Sequence, residues 1–242
     1  MAGRGHLSSG SACLRLLNDG FCPPEVNMAR DVALLDSLER GECPPTLRVY
    51  QWASPALTYG VNQELPTRLA AGCERLGIPM FRRPTGGKAV LHGHDLTLAL
   101  VWQPAPTRLY PRQVYLQLAP ALIEAFETLG VPALQGSAAA PDPRSSDDGG
   151  DCFATPAVAD IVHAETGVKL MGCALLVRGV CVLMQASIPL RPPDVPVEQL
   201  FGHPHPQPPA VDADSLIQTL YTTLNAHLQG AIADMLPNAC RV

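Results

Sequence analysis

The sequence predicts a mixed α+β domain, and three observations support that prediction. The chain has 242 residues, of which 47% are hydrophobic and 16% charged, which is enough apolar material for a sizeable core and unlike a disordered chain. No stretch approaches the roughly 18 uninterrupted apolar residues of a membrane-spanning helix. Helical patterns lie around two clusters of strand-like runs, without the regular βαβ alternation of a doubly wound sheet.

The first part of the chain alternates helical and strand patterns. Residues 25–40 place apolar side chains at helical spacing, which predicts an amphipathic helix. The β-branched and aromatic run 46–52 predicts a strand, and 57–61 predicts a second, shorter one. We expect a helix over 65–77, which ends on a glycine, and a return to strand over 78–83.

The middle of the chain continues this mixture. Residues 89–103 give two strand-like runs around Gly93, and residues 111–130 repeat apolar positions typical of a helix that closes on a glycine. Residues 136–150 are a low-complexity loop.

Three strands and one helix are predicted for the remainder. The runs 159–164, 168–178 and 179–190 are strand-like, and the last two are expected to pair as a hairpin. Residues 191–210 hold many prolines and are expected to be irregular, and residues 212–229 form an amphipathic helix.

The domain boundaries follow from where these patterns begin and end. We expect residues 1–13 to be a flexible N-terminus, since they are small, polar and free of acids. We expect residues 14–230 to form a single domain and residues 231–242 to form a C-terminal tail.

Charge and cysteine usage exclude several classes of protein. A net charge of −5 argues against a dedicated nucleic-acid binder. The eight cysteines form no CxxC pair, which is typical of reduced thiols in a cytoplasmic protein. His203 and His205 lie in a proline-rich run with no cysteine nearby, so no metal site is expected.

The segment 82–92, RRPTGGKAVLH, is the most informative part of the sequence. Glycines allow backbone N–H groups to approach a ligand closely, and adjacent arginines can hold an anion or a carbonyl oxygen. The spacing is not that of a Walker phosphate-binding loop. Taken alone, a Gly-Gly turn is also typical of an ordinary hairpin.

Several segments in order resemble the lipoate–protein ligase and octanoyltransferase superfamily. RRPTGGKAVLH is similar to that family's RRxTGGRAVLH, and NMARDVALL to its NMAxDEALL. PTLRVYQWASPALTYGVNQ is similar to PTLRFYxWxPPxxSLGxxQ. Downstream, DCFATPAVADIV resembles CFxxPSxxEIV, and GVKLMGCALLVRGVCVLMQASI resembles KxxGSAQxRxxGxLLQHGSI. The resemblance covers roughly residues 14–190.

The resemblance implies a fold and a reaction. The fold would be the catalytic-domain fold shared with biotin–protein ligases, with mostly antiparallel mixed sheets flanked by helices. The reaction would attach an octanoyl or lipoyl group to a lysine of a lipoyl-accepting carrier domain. One branch of the family takes octanoate from acyl carrier protein through a cysteine thioester and uses no cofactor. The other branch activates free lipoate with ATP and Mg.

Cys152 and Lys169 match the catalytic pair of the transferase branch. Cys152 opens the CFATP segment, where that branch has its nucleophile, and a thiolate can exchange a thioester without ATP. Lys169 matches the lysine before the second glycine motif, and a cation beside a thiol lowers the pKa of that thiol. The alternative for Cys152 is an incidental structural thiol, and the alternative for Lys169 is a solvated strand lysine.

Six further residues would contact substrate on the same basis. Arg83 matches the arginine expected near the acyl carboxyl or thioester. For His92, a hydrogen-bonded structural role stands beside a direct substrate contact. The six are Arg83, Thr85, Gly86, Gly87, His92 and Gly172.

The sequence also departs from the family pattern. Cys173 and Leu175 replace a Ser and a Gln of the GSAQ motif, and Gln185 and Ala186 replace the His and Gly of LQHGSI. Val32 replaces an acid. These changes make the site less polar, so a catalytically weakened homologue that binds carrier domains is one alternative. An ATP-dependent lipoate–protein ligase, from the other branch of the family, is another.

The basic residues suggest a test. They are 15 arginines and only two lysines, Lys88 and Lys169, and both lysines fall inside the motifs. Lysine and arginine are not interchangeable where a compact ammonium is required. Lys169→Arg should therefore impair acyl transfer although it preserves the charge, as measured by the rate of octanoyl transfer to a carrier domain. Full activity in that variant would show that the placement of the two lysines reflects compositional bias only.

Overall fold

Two β-sheets and five helices make up the described part of the chain. The computed structural model describes residues 13–104, 110–136, 150–205 and 207–235. In chain order the elements are β1 (Arg15–Cys22), α1 (Pro24–Glu39), β2 (Thr46–Trp52), β3 (Ala56–Tyr59), α2 (Thr67–Leu76), β4 (Met80–Arg82), β5 (Val90–His92), β6 (Asp95–Trp102), α3 (Pro111–Thr128), β7 (Ala133–Gln135), β8 (Ile161–His163), β9 (Lys169–Arg178), β10 (Cys181–Pro189), α4 (Val197–Phe201) and α5 (Ala213–Met235).

The strands form one large sheet and one small sheet. The large sheet has the order β1-β2-β6-β10-β9-β8-β7, and the small sheet has the order β4-β3-β5. Six of the eight strand pairings in the described residues are antiparallel, including the expected β9–β10 hairpin. The predicted mixed α+β fold with mostly antiparallel sheets is confirmed.

Two pairings are parallel, and each is bridged by a helix. β1 pairs with β2 across α1, and β3 pairs with β4 across α2. These two strand–helix–strand units were not expected from the sequence. The sequence of β1 shows no continuous alternation of apolar and polar residues, because the register of the strand shifts between Asn18 and Phe21, around the turn-forming Asn-Asp-Gly.

Two further short elements were also missed. β7 has three residues, which is too short for a periodic pattern. The proline-rich run 191–210, expected to be irregular, contains the single-turn helix α4, which ends on Gly202 in the left-handed conformation. The last helix continues past its predicted end at residue 229 to Met235.

The large sheet is covered on both faces, which explains why its central strands are buried along their whole length. Leu98 and Leu100 of β6 pack on one face with α3 and α5, while Ala99 and Val101 pack on the other face with α1. All eight residues of β6 are buried. A third apolar cluster joins the small sheet to α2 and α4. No helix in the described ranges is long and apolar enough to cross a membrane.

The loop that follows β3 lies directly against the Gly-Gly turn. The amide of Val61 donates to the carbonyl oxygen of Thr85 over 3.0 Å. A Cβ atom added to Gly60 would lie 2.2 Å from the carbonyl oxygen of Gly87. The backbones can therefore approach this closely only because residue 60 has no side chain.

This contact predicts a difference between two glycine substitutions. Gly60→Ala should lower the free energy of unfolding by about 3 kcal/mol, because the added methyl displaces the turn. Gly86→Ala is the matched control. Its Cβ would meet nothing within 4 Å, so its stability should change by no more than about 0.5 kcal/mol. Urea unfolding of the two variants measures both values, and equal stabilities would contradict the account.

Candidate active site

A cavity lined by residues of both sheets opens to solvent, and its space of about 410 Å³ includes that open part. Its walls include the predicted site residues Arg83, Gly87, His92, Cys152 and Gly172. Apolar side chains and small residues of β2, β5, β9 and β10 supply most of the remaining lining. A mostly apolar lining with a few polar groups is typical of a small-molecule site.

Backbone hydrogen bonds hold Cys152 against the end of the Gly-Gly turn. The amide of Cys152 donates to the carbonyl oxygen of Ala89 over 2.8 Å, and the amide of Ala89 donates to the carbonyl oxygen of Gly150 over 2.9 Å. The amide of Phe153 donates to Oδ1 of Asp151 over 2.9 Å. Cys152 is thus fixed by its neighbours on both sides, with its side chain at the cavity wall.

Lys169 approaches Cys152 from the start of β9. Its Nζ lies 3.7 Å from Sγ of Cys152 and donates to the carbonyl oxygen of the same residue. Gly172 makes this arrangement possible, because a Cβ atom there would lie 3.2 Å from the sulfur. The structure therefore brings the three predicted residues Cys152, Lys169 and Gly172 together.

Asp160 completes this group and was not identified from the sequence. Its Oδ2 lies 2.7 Å from Nζ of Lys169, and both side chains are almost fully buried. The available signal was the acidic position of the CFxxPSxxEIV motif, which falls on Asp160. A buried lysine requires a counter-charge, so an acid within reach of Lys169 could have been sought.

The electrostatics of Cys152 differ from the sequence expectation. Burial raises the pKa of the Cys152 thiol; Lys169 and Arg83 lower it, whereas Asp160 and Asp151 raise it further. Lys169 acts in the expected direction, but its effect is outweighed, and the net pKa is above the ordinary value. The resting residue is therefore a thiol at neutral pH.

The ammonium of Lys169 is stabilised in the charged form. Burial alone would lower the pKa of Lys169, but the sulfur of Cys152, when ionised, and the carboxylate of Asp160 raise it above its usual value. Lys169 is consequently a cation at neutral pH and can donate hydrogen bonds to the sulfur or to a bound carbonyl oxygen. It cannot accept the proton of the thiol in that state.

Arg83 fixes the Gly-Gly turn from within. The buried guanidinium donates from Nη1 to Oγ1 of Thr58 over 2.7 Å. Nη2 donates to the carbonyl oxygens of Gly86 and Lys88 over 3.1 and 2.9 Å. This chelation explains why an arginine, with its planar fork of donors, occupies the position. Arg82 instead is exposed, with its guanidinium 5.5 Å from the ring centroid of Tyr59.

His92 supports Arg83 from behind. Its Nε2 lies 2.7 Å from Oγ1 of Thr58, and its Nδ1 lies 2.8 Å from Oδ2 of Asp95. The ring stacks on Trp52 at a centroid distance of 4.0 Å. Both ring nitrogens therefore have protein partners, and the chain Asp95–His92–Thr58–Arg83 runs from β6 to the turn.

A departure from the family pattern forms a second link to the turn. Gln185 accepts a hydrogen bond from Thr85 over 2.8 Å and donates to Oδ2 of Asp31 over 2.7 Å. Asp31, on α1, also accepts from Arg48 and Tyr50. The glutamine that replaces the family histidine is thus fully engaged in a buried network.

His94 is buried. Its ring lies edge-on to that of His205, with centroids 5.1 Å apart, because the segment after α4 folds over it. Burial lowers the pKa of His94 to about 4. His203 and His205 are partly exposed, and Nε2 of His203 lies 3.6 Å from Oδ2 of Asp151. Within the described residues, no three His, Cys, Asp or Glu side chains are placed to share a metal ion.

Comparisons with known sequences agree on one family. The profile of the lipoyl protein ligase A/B catalytic domain matches residues 23–232. The octanoyltransferase LipM of Geobacillus kaustophilus is 32% identical over 202 residues, which cover 79% of this chain and 70% of that protein. LipM of Oceanobacillus iheyensis is 34% identical over 179 residues, which cover 73% of this chain but only 62% of the relative.

Solved structures show the same fold. A putative lipoate protein ligase from T. acidophilum with bound lipoic acid superposes with a TM-score of 0.68 at 22% identity, covering 88% of this chain and 85% of that one. Lipoate-protein ligase A bound with ATP superposes with a TM-score of 0.64 at 21% identity, with the same coverage.

The raised pKa of Cys152 gives a prediction for the unliganded protein. The pH at which Cys152 reaches half of its maximal alkylation rate with iodoacetamide should lie above about 8.5, the value of an ordinary thiol. In Lys169→Met the midpoint should lie higher still, since a cation that favours the thiolate is removed. Mass spectrometry of the Cys152 peptide separates it from the other cysteines. A midpoint below the ordinary value, or one lowered by Lys169→Met, would contradict this electrostatic picture.

Proposed function

The chain belongs to the family of lipoyl protein ligase A/B catalytic domains, and on that premise we propose that it is an octanoyltransferase that works through a thioester on Cys152. The observation that carries the proposal is the contact of a thiol with a buried ammonium, 3.7 Å apart, at the wall of a largely apolar cavity. A cysteine sulfur can form a covalent acyl intermediate, and a cation beside it favours the thiolate that attacks.

The first step transfers the octanoyl group to the protein. The sulfur of Cys152 loses its proton and attacks the carbonyl carbon of octanoyl-[acyl carrier protein]. The new carbon–sulfur bond forms as the carbon–sulfur bond of the donor breaks, and the donor leaves as a thiol that has taken up the proton. Lys169 can donate a hydrogen bond to the developing oxyanion, where a pre-positioned cation is most effective.

The second step delivers the group to an amine. The neutral ε-amine of a lysine on a lipoyl-accepting carrier domain attacks the thioester carbon of octanoyl-Cys152. An amide bond forms, the bond to Sγ breaks, and the proton released by the amine restores the thiol. A lipoate protein ligase of T. acidophilum has been solved as an archaeal lipoylation system with its E2 lipoyl domain, which supports a carrier domain of this kind as acceptor here.

This sequence of steps is balanced without ATP. One thioester is exchanged for another, and the energy of the second thioester drives formation of the amide. The ATP-dependent ligase is the competing proposal, and it does not require the thiol of Cys152. The similarity to the ATP-bound ligase concerns the fold only, whereas the LipM relatives carry the name octanoyltransferase.

Intact-mass spectrometry tests the proposal. Incubation with octanoyl-[acyl carrier protein] should add one octanoyl group to the protein, located on Cys152 and absent from Cys152→Ala. Cys13→Ala is the control, since Cys13 is exposed and lies outside the cavity, and it should be labelled like the unaltered protein. An unmodified mass with competent donor would overturn the transferase. Pyrophosphate exchange that depends on lipoate and survives Cys152→Ala would establish the ligase instead.

A further inference from the structure

The carboxylate of Asp160 is held in place by the backbone. Oδ2 accepts from the amide of Ala157 over 2.6 Å, and Oδ1 accepts from the amide of Cys173 over 3.3 Å. Ala157 lies in the loop that follows the nucleophile, and Cys173 lies on β9. Asp160 therefore keeps its position through contacts with two segments and does not depend on Lys169 for it.

The side chain of Lys169 has no comparable anchor of its own. Its four-carbon stem is flexible, and an ammonium is a point donor without a fixed direction. Its buried partners are the carbonyl oxygen and sulfur of Cys152, the carboxylate of Asp160 and the ring of Phe153, whose centroid lies 5.5 Å from Nζ. Of these, Asp160 supplies the formal negative charge that a buried cation requires.

Only one oxygen of the other buried carboxylate near the nucleophile is hydrogen-bonded. Oδ1 of Asp151 accepts from the amide of Phe153, whereas Oδ2 has no hydrogen-bond partner among the described residues and lies 3.6 Å from Nε2 of His203. Among the described residues, Lys169 forms an ion pair with Asp160 but none with Asp151. Asp160 is thus the acid that can set the position of the ammonium.

We propose that Asp160 is the positioning residue for the acylation of Cys152, because it holds the Lys169 ammonium beside the sulfur. The inference rests on the proposed octanoyl transfer and adds a residue to it. In this role Asp160 acts through Lys169, and no bond to Asp160 forms or breaks. Without its charge, the ammonium would deprotonate or turn away from the thiol, and the attack would lose its hydrogen-bond donor.

Single-turnover acylation of Cys152 by octanoyl-[acyl carrier protein] tests this inference. Asp160→Asn keeps the shape of the side chain and should slow acylation at saturating donor by at least about 10-fold, with little change in the donor concentration at half-maximal rate. Asp160→Glu restores the charge and should recover most of the rate. Asp194→Asn is the control, since that acid forms an exposed pair with Arg191, and it should acylate at the normal rate.

A double-variant comparison separates positioning from a general structural role. If Asp160 acts through Lys169, Asp160→Asn should slow the unaltered protein but cause no further loss in Lys169→Met. Normal acylation by Asp160→Asn would overturn the inference, and so would losses that multiply in the double variant. A wild-type protein that forms no octanoyl adduct would overturn the proposed function itself, and the inference with it.

Thermal unfolding keeps the test valid if Asp160→Asn folds poorly. Asp160→Asn leaves a buried cation without its counter-charge, whereas the double variant Asp160→Asn/Lys169→Met removes both charges. The double variant should therefore melt at a higher temperature than Asp160→Asn. A double variant that melts no higher would show that the two side chains are not coupled, and would overturn the inference.

Discussion

The burial of one ammonium group determines how the candidate active site is built. Lys169 is almost fully excluded from solvent and lies between the nucleophile segment and β9. A buried cation is tolerated only when its charge is balanced and its hydrogen-bond donors are used. Asp160 and the backbone carbonyl of Cys152 meet those requirements. The sulfur of Cys152 therefore lies beside a fixed positive charge, which stabilises the thiolate once it forms.

The Gly-Gly turn supports this arrangement. Arg83 binds the carbonyl oxygens of the Gly-Gly turn, and His92 and Asp95 hold Arg83 in place through Thr58. The same turn pairs with the Cys152 segment through Ala89. Several motif residues thus act on the nucleophile indirectly, through the backbone that carries it. In the unliganded protein, the guanidinium of Arg83 and both ring nitrogens of His92 are already hydrogen-bonded to protein atoms.

The sequence predicted the long elements and the fold class well, because unbroken periodic patterns such as β6 and α3 reflect packing on the sheet faces. It missed β1, whose register shift interrupts the pattern, and the parallel pairings, which depend on contacts distant in the sequence. In the site, the motifs identified Cys152 and Lys169, but they did not reveal the balance of charges. Burial raises the pKa of Cys152 despite Lys169, and burial is a property of the folded chain.

In the proposed reaction, the acyl group passes through Cys152 on its way to the acceptor lysine. The most direct test isolates octanoyl-Cys152 protein, mixes it rapidly with a lipoyl-accepting carrier domain and follows both species by quenched mass spectrometry. We expect the octanoyl group to leave Cys152 and to reach the acceptor lysine as an amide, at a rate no slower than steady-state turnover. An octanoyl-Cys152 species that discharges more slowly than turnover would be a side product, which would contradict a thioester intermediate on Cys152.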